Sequence, residues 1–324
     1  MTTADPTPQP KTLTEAIRYF ADPNVSLRTM VELRWPDGVR CPTCGSGEVR
    51  FISTRRLWEC KHKHPRRQFS AKVGTIFEDS PLDLGKWFAA IWMVANCKNG
   101  ISSYEMHRAL GVTQKTAWFM DHRIRLAMKT GSFLKMSGEV EADETFIGGL
   151  AKNMHKGKRA KKITGTGGAG KEAVLGIVQR GTDETASRIK TVHVPNVRRK
   201  TLAPEVRAAV EPGSTIYTDA LKSYLGLSDA YAHETVDHAM EFVRGNVHTN
   251  NVENFWSLLK RTIKGTYVSV DPMHLSRYLD EQAFRFNERK DNDGGRFRTV
   301  VSQVTGKRIT YKELIGDDGA QAIH

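Results

Sequence analysis

The chain has 324 residues, of which 39% are hydrophobic and 26% charged. That is the size of two or three domains, with the balance of a globular protein rather than a fibrous or disordered one. No apolar run nears the roughly 20 residues of a bilayer-spanning helix, so no membrane partner is expected. The formal net charge of +13 favours polyanionic partners, with double-stranded DNA or another nucleic acid first among them.

Residues 1–11 are rich in Pro and Thr and lack an apolar centre. They read as a disordered tail, not a signal peptide, and the chain is expected in the cytoplasm. Two short helical patterns follow over 12–35, broken at Asp22-Pro23. Residues 39–79 are rich in Cys, Gly, Arg and aromatic side chains. Cys41-Pro-Thr-Cys44 is a C-x-x-C knuckle, and Cys60 follows with His62 and His64 close behind. In a reducing compartment such spacing points to a metal rather than a disulfide. Three thiolates and one imidazole suit one tetrahedral, structural Zn2+, and short basic strands around them suit a zinc ribbon. The spacing favours Cys41, Cys44, Cys60 and His64, with His62 as the alternative fourth ligand. Cys97 sits in an apolar helical pattern and reads as core.

Ser80-Pro81 opens a helical region in which Trp87, Phe88, Ile91 and Val94 recur at helical spacing. Residues 102–110 and 114–129, joined through Gly111-Val112-Thr113, read as helix, turn, helix, with Thr113 capping the second helix. As a DNA reader this pair would present Gln114, Lys115, His122, Arg123 and Arg125, although ordinary helix pairs share the pattern. The helical region as a whole is placed at 80–135.

Strands are expected at 139–147, 173–179, 188–194 and 214–218, with a helix at 201–210. The loop 150–171 carries Lys152, Lys156, Lys158, Arg159, Lys161, Lys162 and Lys171 and no acid. It is a solvated basic loop that could contact phosphates. Helices are expected at 251–264 and 273–289. The last segment, 293–324, is polar and reads as peripheral.

Three acids stand out. Asp143 lies mid-strand among apolar residues, on the same face as Glu141 and opposite to Glu144. Asp219 ends a short apolar strand. Glu253 opens an amphipathic helix, with Lys260 two turns further along the same side. Acids at strand ends and helix starts are ordinary. Converging, they would instead form a hard oxygen site for Mg2+ or Mn2+. Two such ions can activate an attacking oxygen and stabilise a leaving one.

Asp143 in EADETFIGG, Asp219 in IYTDALKSY and Glu253 in HTNNVENFWSLLKR occur in that order. With CPTCG and RRQFSAKVGTIFEDSPL upstream, they resemble the DDE transposases of bacterial insertion sequences, in particular the ISXO-like group with an N-terminal zinc ribbon. The resemblance covers roughly residues 20–290. It implies an α/β, RNase H-like catalytic domain at 136–292, a mixed sheet flanked by helices, preceded by the ribbon region 12–79 and the helical region 80–135. It also implies that Asp143, Asp219 and Glu253 hold two Mg2+ or Mn2+ ions, that Lys260 steadies a phosphate, and that Asn254 is the alternative third position. His248, Asn250 and Asn251 would shape the site, or simply form a turn and helix cap. Tyr224, Phe255 and Trp256 read as core. The implied activity is cleavage and strand transfer at the inverted repeats of an insertion sequence, acting on target DNA as a homodimer or higher assembly in the nucleoid. A nuclease that does not join strands, or a zinc-ribbon regulator without activity, are the rival readings.

Overall fold

The computed structural model describes residues 9–129, 134–149, 156–157, 170–219, 222–224, 226–236 and 248–317. The predicted tail therefore lies outside the described residues up to residue 8. So does most of the basic loop, including Lys158, Arg159, Lys161 and Lys162. The chain divides into two compact units, Met1–Met128 with Asp291–His324, and Lys129–Lys290. Among the described residues no helix is long and apolar enough to cross a membrane.

The first unit begins with α1 (Leu13–Phe20) and α2 (Pro23–Arg34). Asp22 caps α2 by accepting from the Asn24 N–H, and Pro23 occupies the first turn, where its missing N–H costs nothing. A three-stranded antiparallel sheet follows, β1 (Val49–Ile52), β2 (Leu57–Cys60) and β3 (Gln68–Phe69). Trp58 packs between Trp35 and Phe69, with ring centroids 5.8 and 6.1 Å away. Next come α3 (Leu84–Asn96), α4 (Ser103–Leu110) and α5 (Gln114–Met128). Ser102 and Glu105 form a capping box on α4, and Thr113 accepts from the Thr116 N–H at the start of α5, as its sequence position predicts.

The segment set apart in the sequence as peripheral, 293–324, contains two more helices, α9 (Asp293–Ser302) and α10 (Tyr311–Ile315). Phe297 is buried in an aromatic cluster with Phe20, Phe88 and Trp92, at centroid distances of 5.1, 5.4 and 5.5 Å. With only Phe297, Val300 and Val301 buried along ten residues, the apolar pattern of α9 is too sparse to be conspicuous in the sequence.

The second unit is a five-stranded mixed sheet in the order β6-β5-β4-β7-β8. Its strands are β4 (Glu139–Ile147), β5 (Glu172–Gln179), β6 (Arg188–Val194), β7 (Thr215–Asp219) and β8 (Ala232–Val236). β4, β5 and β6 form an antiparallel meander, and β7 and β8 add in parallel on the other side of β4. That order and direction are those expected of the RNase H-like fold. On one face, Leu202, Ala203 and Val206 of α6 (Arg199–Ala209) pack on Val140, Ala142, Leu175, Ile177 and Ile216. On the other, Val252, Phe255, Trp256 and Leu259 of α7 (Asn250–Thr262) pack with Leu275, Leu279 and Phe286 of α8 (Leu275–Asn287) on Val174, Val178 and Ile189. The two-residue side-chain period of a strand sorts these sets. It also puts Glu141 and Asp143 on the α7 face.

Candidate active site and zinc centre

β4 and β7 run parallel, and their pairing ends at Ala142↔Thr218. Asp143 and Asp219 are the next residue on each strand. Neighbouring strands lie about 5 Å apart, so the two acids stand side by side at the same end of the pair. Asp143 is largely buried, and its Oδ2 accepts a 2.8 Å hydrogen bond from the indole N–H of Trp256, one turn beyond Glu253 on α7. Burial chiefly raises the Asp143 pKa, the Trp256 hydrogen bond opposes it and the charges of Asp219 and Glu253 add to the rise, for a value of about 6. The three acids therefore share one electrostatic neighbourhood. Thr249 donates to Glu253 Oε1 at 3.0 Å, and Lys260 is half-buried in the last turn of α7.

Carboxylates from three separate elements offer hard oxygen donors, the chemistry that suits Mg2+ or Mn2+. The adjacent Glu144 points to the α6 side, as the strand alternation predicts, and accepts from the buried Tyr224 hydroxyl. Burial pushes Glu144 up to about 7, opposed by the Tyr224 hydrogen bond and reinforced by the charges of Asp219 and Asp143. Tyr224 is core, as its sequence setting suggests, and it also tethers a carboxylate beside the cluster.

Trp256 can reach Asp143 because Gly176 is the residue opposite Asp143 on β5. A Cβ there would lie 2.6 Å from Trp256 Cζ2, inside any tolerable contact. The sequence marks Trp256 only as core, and nothing in the sequence ties it to Asp143.

Glu141 is fully buried and receives four hydrogen bonds. Its Oε2 accepts from the backbone N–H groups of Asn251 and Val252 at 2.9 and 3.1 Å. Its Oε1 accepts from Asn251 Nδ2 at 2.7 Å and Arg180 Nε at 2.8 Å. Arg180 also donates to the His248 carbonyl at 2.8 Å and lies over the Tyr217 ring at 4.2 Å. His248 and Asn251 thus serve the turn and the start of α7. The one sequence signal for Glu141 is its place on the Asp143 face.

The four residues expected to bind zinc are brought together. One ligand atom each from Cys41, Cys44, Cys60 and His64 lies within 4.8 Å of the others. Cys41 Sγ is 3.4 Å from His64 Nε2, and Cys44 Sγ is 3.6 Å from Cys60 Sγ. Zn–S bonds of about 2.3 Å imply tetrahedral edges of roughly 3.8 Å, so the group fits zinc. Gly45, at φ +74°, turns the chain out of the knuckle, and its N–H closes the loop on the Cys41 carbonyl at 2.8 Å. His64 Nδ1 lies 2.7 Å from the Pro65 carbonyl, so Nδ1–H donates there and Nε2 is left to face the cluster. Burial pushes the Cys41 thiol up, but the N–H groups of Cys44 and Thr43 outweigh it and bring it down to about 7. His62 lies elsewhere, exposed and 3.5 Å from Ser46 Oγ.

The basic residues of the helix pair fare differently. Lys115 is exposed at the start of α5, its ammonium 4.2 Å from the Tyr311 ring centroid. Arg123 and Arg125 are buried, which corrects the expectation that they face DNA. Arg123 donates to the carbonyls of Ile76, Glu78 and Ile309 at 2.9, 2.8 and 3.0 Å, so it ties three chain segments together. His122 is buried as well, edge-on to Trp118. In the 150–171 loop Lys156 is described and exposed.

Comparison with known proteins matches both regions. Residues 135–287 match the family described as ISXO2-like transposase domain, and residues 24–64 match a transposase zinc-ribbon domain. A protein named as uncharacterized in transposable element ISH50 of Halobacterium salinarum is 28% identical over 273 residues, covering 81% of this chain and 90% of that protein. An uncharacterized transposase-like protein of Haemophilus influenzae is 35% identical over 102 residues, covering 31% of this chain and 81% of that protein. The ribbon match spans the three cysteines and His64, and the domain match spans the meander, the parallel strands and the helix carrying Glu253. With fold, ribbon ligands and relatives in agreement, the chain belongs to the ISXO2-like transposases and carries a transposase zinc ribbon at its N-terminal side.

Proposed function

We infer that this transposase cuts duplex DNA at the ends of an insertion sequence and joins the freed 3′ ends to target DNA. The reading is supported by the placement of Asp143 and Asp219 just beyond the last paired residues of two parallel strands, and by the charge of Glu253 acting on Asp143. These three carboxylates would hold two divalent cations, magnesium or manganese, which when bound supply activation of the attacking oxygen and neutralise charge on the leaving one.

In the first step water attacks phosphorus at the element end. The 3′ oxygen leaves and takes up a proton as a hydroxyl. In the second step that hydroxyl attacks a target phosphodiester in line. A new P–O bond forms as that hydroxyl gives up its proton, and the target's own 3′ oxygen leaves and takes up a proton as a hydroxyl. Trp256 holds the Asp143 carboxylate at one oxygen throughout. Lys260, on the helix that carries Glu253, steadies a phosphate. The zinc ribbon and the exposed start of α5, with Lys115, bind the inverted repeats, and Lys156, Lys158, Arg159, Lys161 and Lys162 add phosphate contacts. Binding is then strongly salt-dependent. Two ends must be held together, so the working form is a dimer or larger assembly on DNA in the cytoplasm.

A strand-transfer assay tests this, using the purified protein, Mg2+ and a duplex carrying the flanking inverted repeats, with Asp219→Ala as control. Joined products from the wild type alone support the reading. Cleavage without joining reduces it to a nuclease, and binding with neither makes the protein a DNA-binding regulator.

A further inference from the structure

We propose that Glu141 is the positioning residue of the catalytic cluster, a buried cap that sets helix α7 in register with β4 so that Glu253 meets Asp143. The inference rests on the metal-holding role given above to Asp143, Asp219 and Glu253.

Local capping of helix α7 is thin: His248 Nδ1 accepts from the Asn250 N–H at 3.4 Å. Its N-cap residue, Thr249, makes no side-chain capping bond. The first N–H groups of a helix need acceptors and concentrate positive potential. Here the acceptor comes from the sheet, as Glu141 Oε2 takes the N–H groups of Asn251 and Val252. Glu253 is the residue after Val252, and Asp143 is two residues after Glu141 on the same strand face. The cap is therefore within one helical turn of one proposed metal ligand and about 7 Å along the strand from another. A second tie, Trp256 to Asp143, lies on the far side of Glu253. Glu253 is thus pinned between two fixed points, both on β4.

The remaining oxygen of Glu141 is occupied by Arg180 and by the Asn251 side chain. Arg180 in turn holds the His248 carbonyl, just before the helix. Every partner of the carboxylate belongs to the turn and helix that deliver Glu253, or to the arginine that braces them. This differs from an ordinary core hydrogen bond, which would stabilise the fold without touching the spacing of the two acids.

The test is Mn2+ affinity of the full-length, zinc-loaded protein, read from free Mn2+ by electron paramagnetic resonance. Four proteins are compared: wild type, Glu141→Gln, Asn251→Ala and Asp143→Asn. In Glu141→Gln the amide presents a donor to Arg180 or to the helix N–H groups, so one side of the clamp opens. Asn251→Ala removes a single bond and leaves the backbone contacts. Residues that orient metal ligands typically change affinity by about 10- to 100-fold. Glu141→Gln is expected to weaken Mn2+ binding within that range, Asn251→Ala by about threefold to tenfold on the same scale, and Asp143→Asn is expected to abolish it. Raising Mn2+ should restore cleavage to Glu141→Gln but not to Asp143→Asn, a recovery that a folding defect does not show. If Asp143→Asn abolishes binding while folded Glu141→Gln and Asn251→Ala bind as wild type does, the positioning role is overturned and the metal site stands. If Asp143→Asn binds Mn2+ as tightly as wild type, the metal site itself fails, and this inference with it. Should Glu141→Gln not fold, Asn251→Ala decides by the same comparison.

Discussion

Gly176 and Trp256 share one volume: the indole ring fills the place where any side chain at position 176 would begin. Gly176 pairs directly with Asp143 across the β4–β5 ladder, so the ring lies beside the acid that its N–H meets. A glycine in a strand interior weakens the strand, and close approach by another group is a usual reason for one. Gly176→Ala is expected to cost about 1–3 kcal/mol through overpacking. The cost should shrink in a Trp256→Leu background, where the ring is gone. A double-mutant cycle by thermal unfolding measures this, and equal costs in both backgrounds would refute the contact as the cause.

Asp143 makes the folded state pH-sensitive. Its folded pKa is raised to about 6 by burial and by the neighbouring acids, from an ordinary value of 3.8. A raised acid favours folding relative to its ionised form, so stability is fully present below about pH 3.8 and is lost as pH rises to about 6. Above that the penalty is constant, at most about 3 kcal/mol from the size of the displacement. Without divalent cations, Asp143→Asn should therefore melt higher than wild type at pH 8, with the gap narrowing at pH 5 and closing near pH 4. A constant gap across that range would show that Asp143 ionises freely in the folded protein.

Arg123 is expected to behave as a structural residue. Arg123→Ala leaves the carbonyls of Ile76, Glu78 and Ile309 without their donor. The expected loss is on the order of 3 kcal/mol. Lys115→Ala, at an exposed position, should change stability by less than about 0.5 kcal/mol yet weaken DNA binding and reduce its salt dependence. Calorimetry and salt titrations of DNA affinity on both variants separate the roles. A DNA-affinity loss for Arg123→Ala at full stability would return that arginine to the DNA interface.

Zinc should hold the ribbon together. The sheet Val49–Phe69 has only a small aromatic core around Trp58, too little to fold a segment of this size without a cross-link. One zinc per chain is expected, lost to a strong chelator together with the near-ultraviolet signal of Trp58. His64→Ala should lower zinc affinity at least tenfold, whereas His62→Ala should leave it unchanged. Metal analysis after dialysis reads both, and the reverse pattern would make His62 the ligand.

Much of this was legible in the sequence. Strand alternation placed β4 and β6 with their observed limits, and Gly111 in the turn Gly111-Val112-Thr113 separated α4 from α5. The C-x-x-C knuckle foretold a cluster that the fold does assemble. What stayed hidden depends on partners far along the chain. Arg123 reads as a surface cation on a short helix because the carbonyls it serves come from residues 76, 78 and 309. Glu141 looks like an ordinary strand acid until the start of α7, 110 residues later, is laid over it. β8, AHETV, has apolar residues only at its two ends, with His233, Glu234 and Thr235 between them, and is recognised as a strand by its pairing with β7.

The burial of Phe297 among Phe20, Phe88 and Trp92 makes the N-terminal unit discontinuous in the chain. During synthesis its aromatic cluster waits, one side open, while the 162 residues from Lys129 to Lys290 are made. The RNase H-like unit is local in sequence and can assemble in that interval. The RNase H-like unit therefore has all its residues before the unit that precedes it does. Removing the chain after residue 290, which looks like trimming a polar tail, would instead leave an open aromatic surface on the half of the protein that carries the zinc.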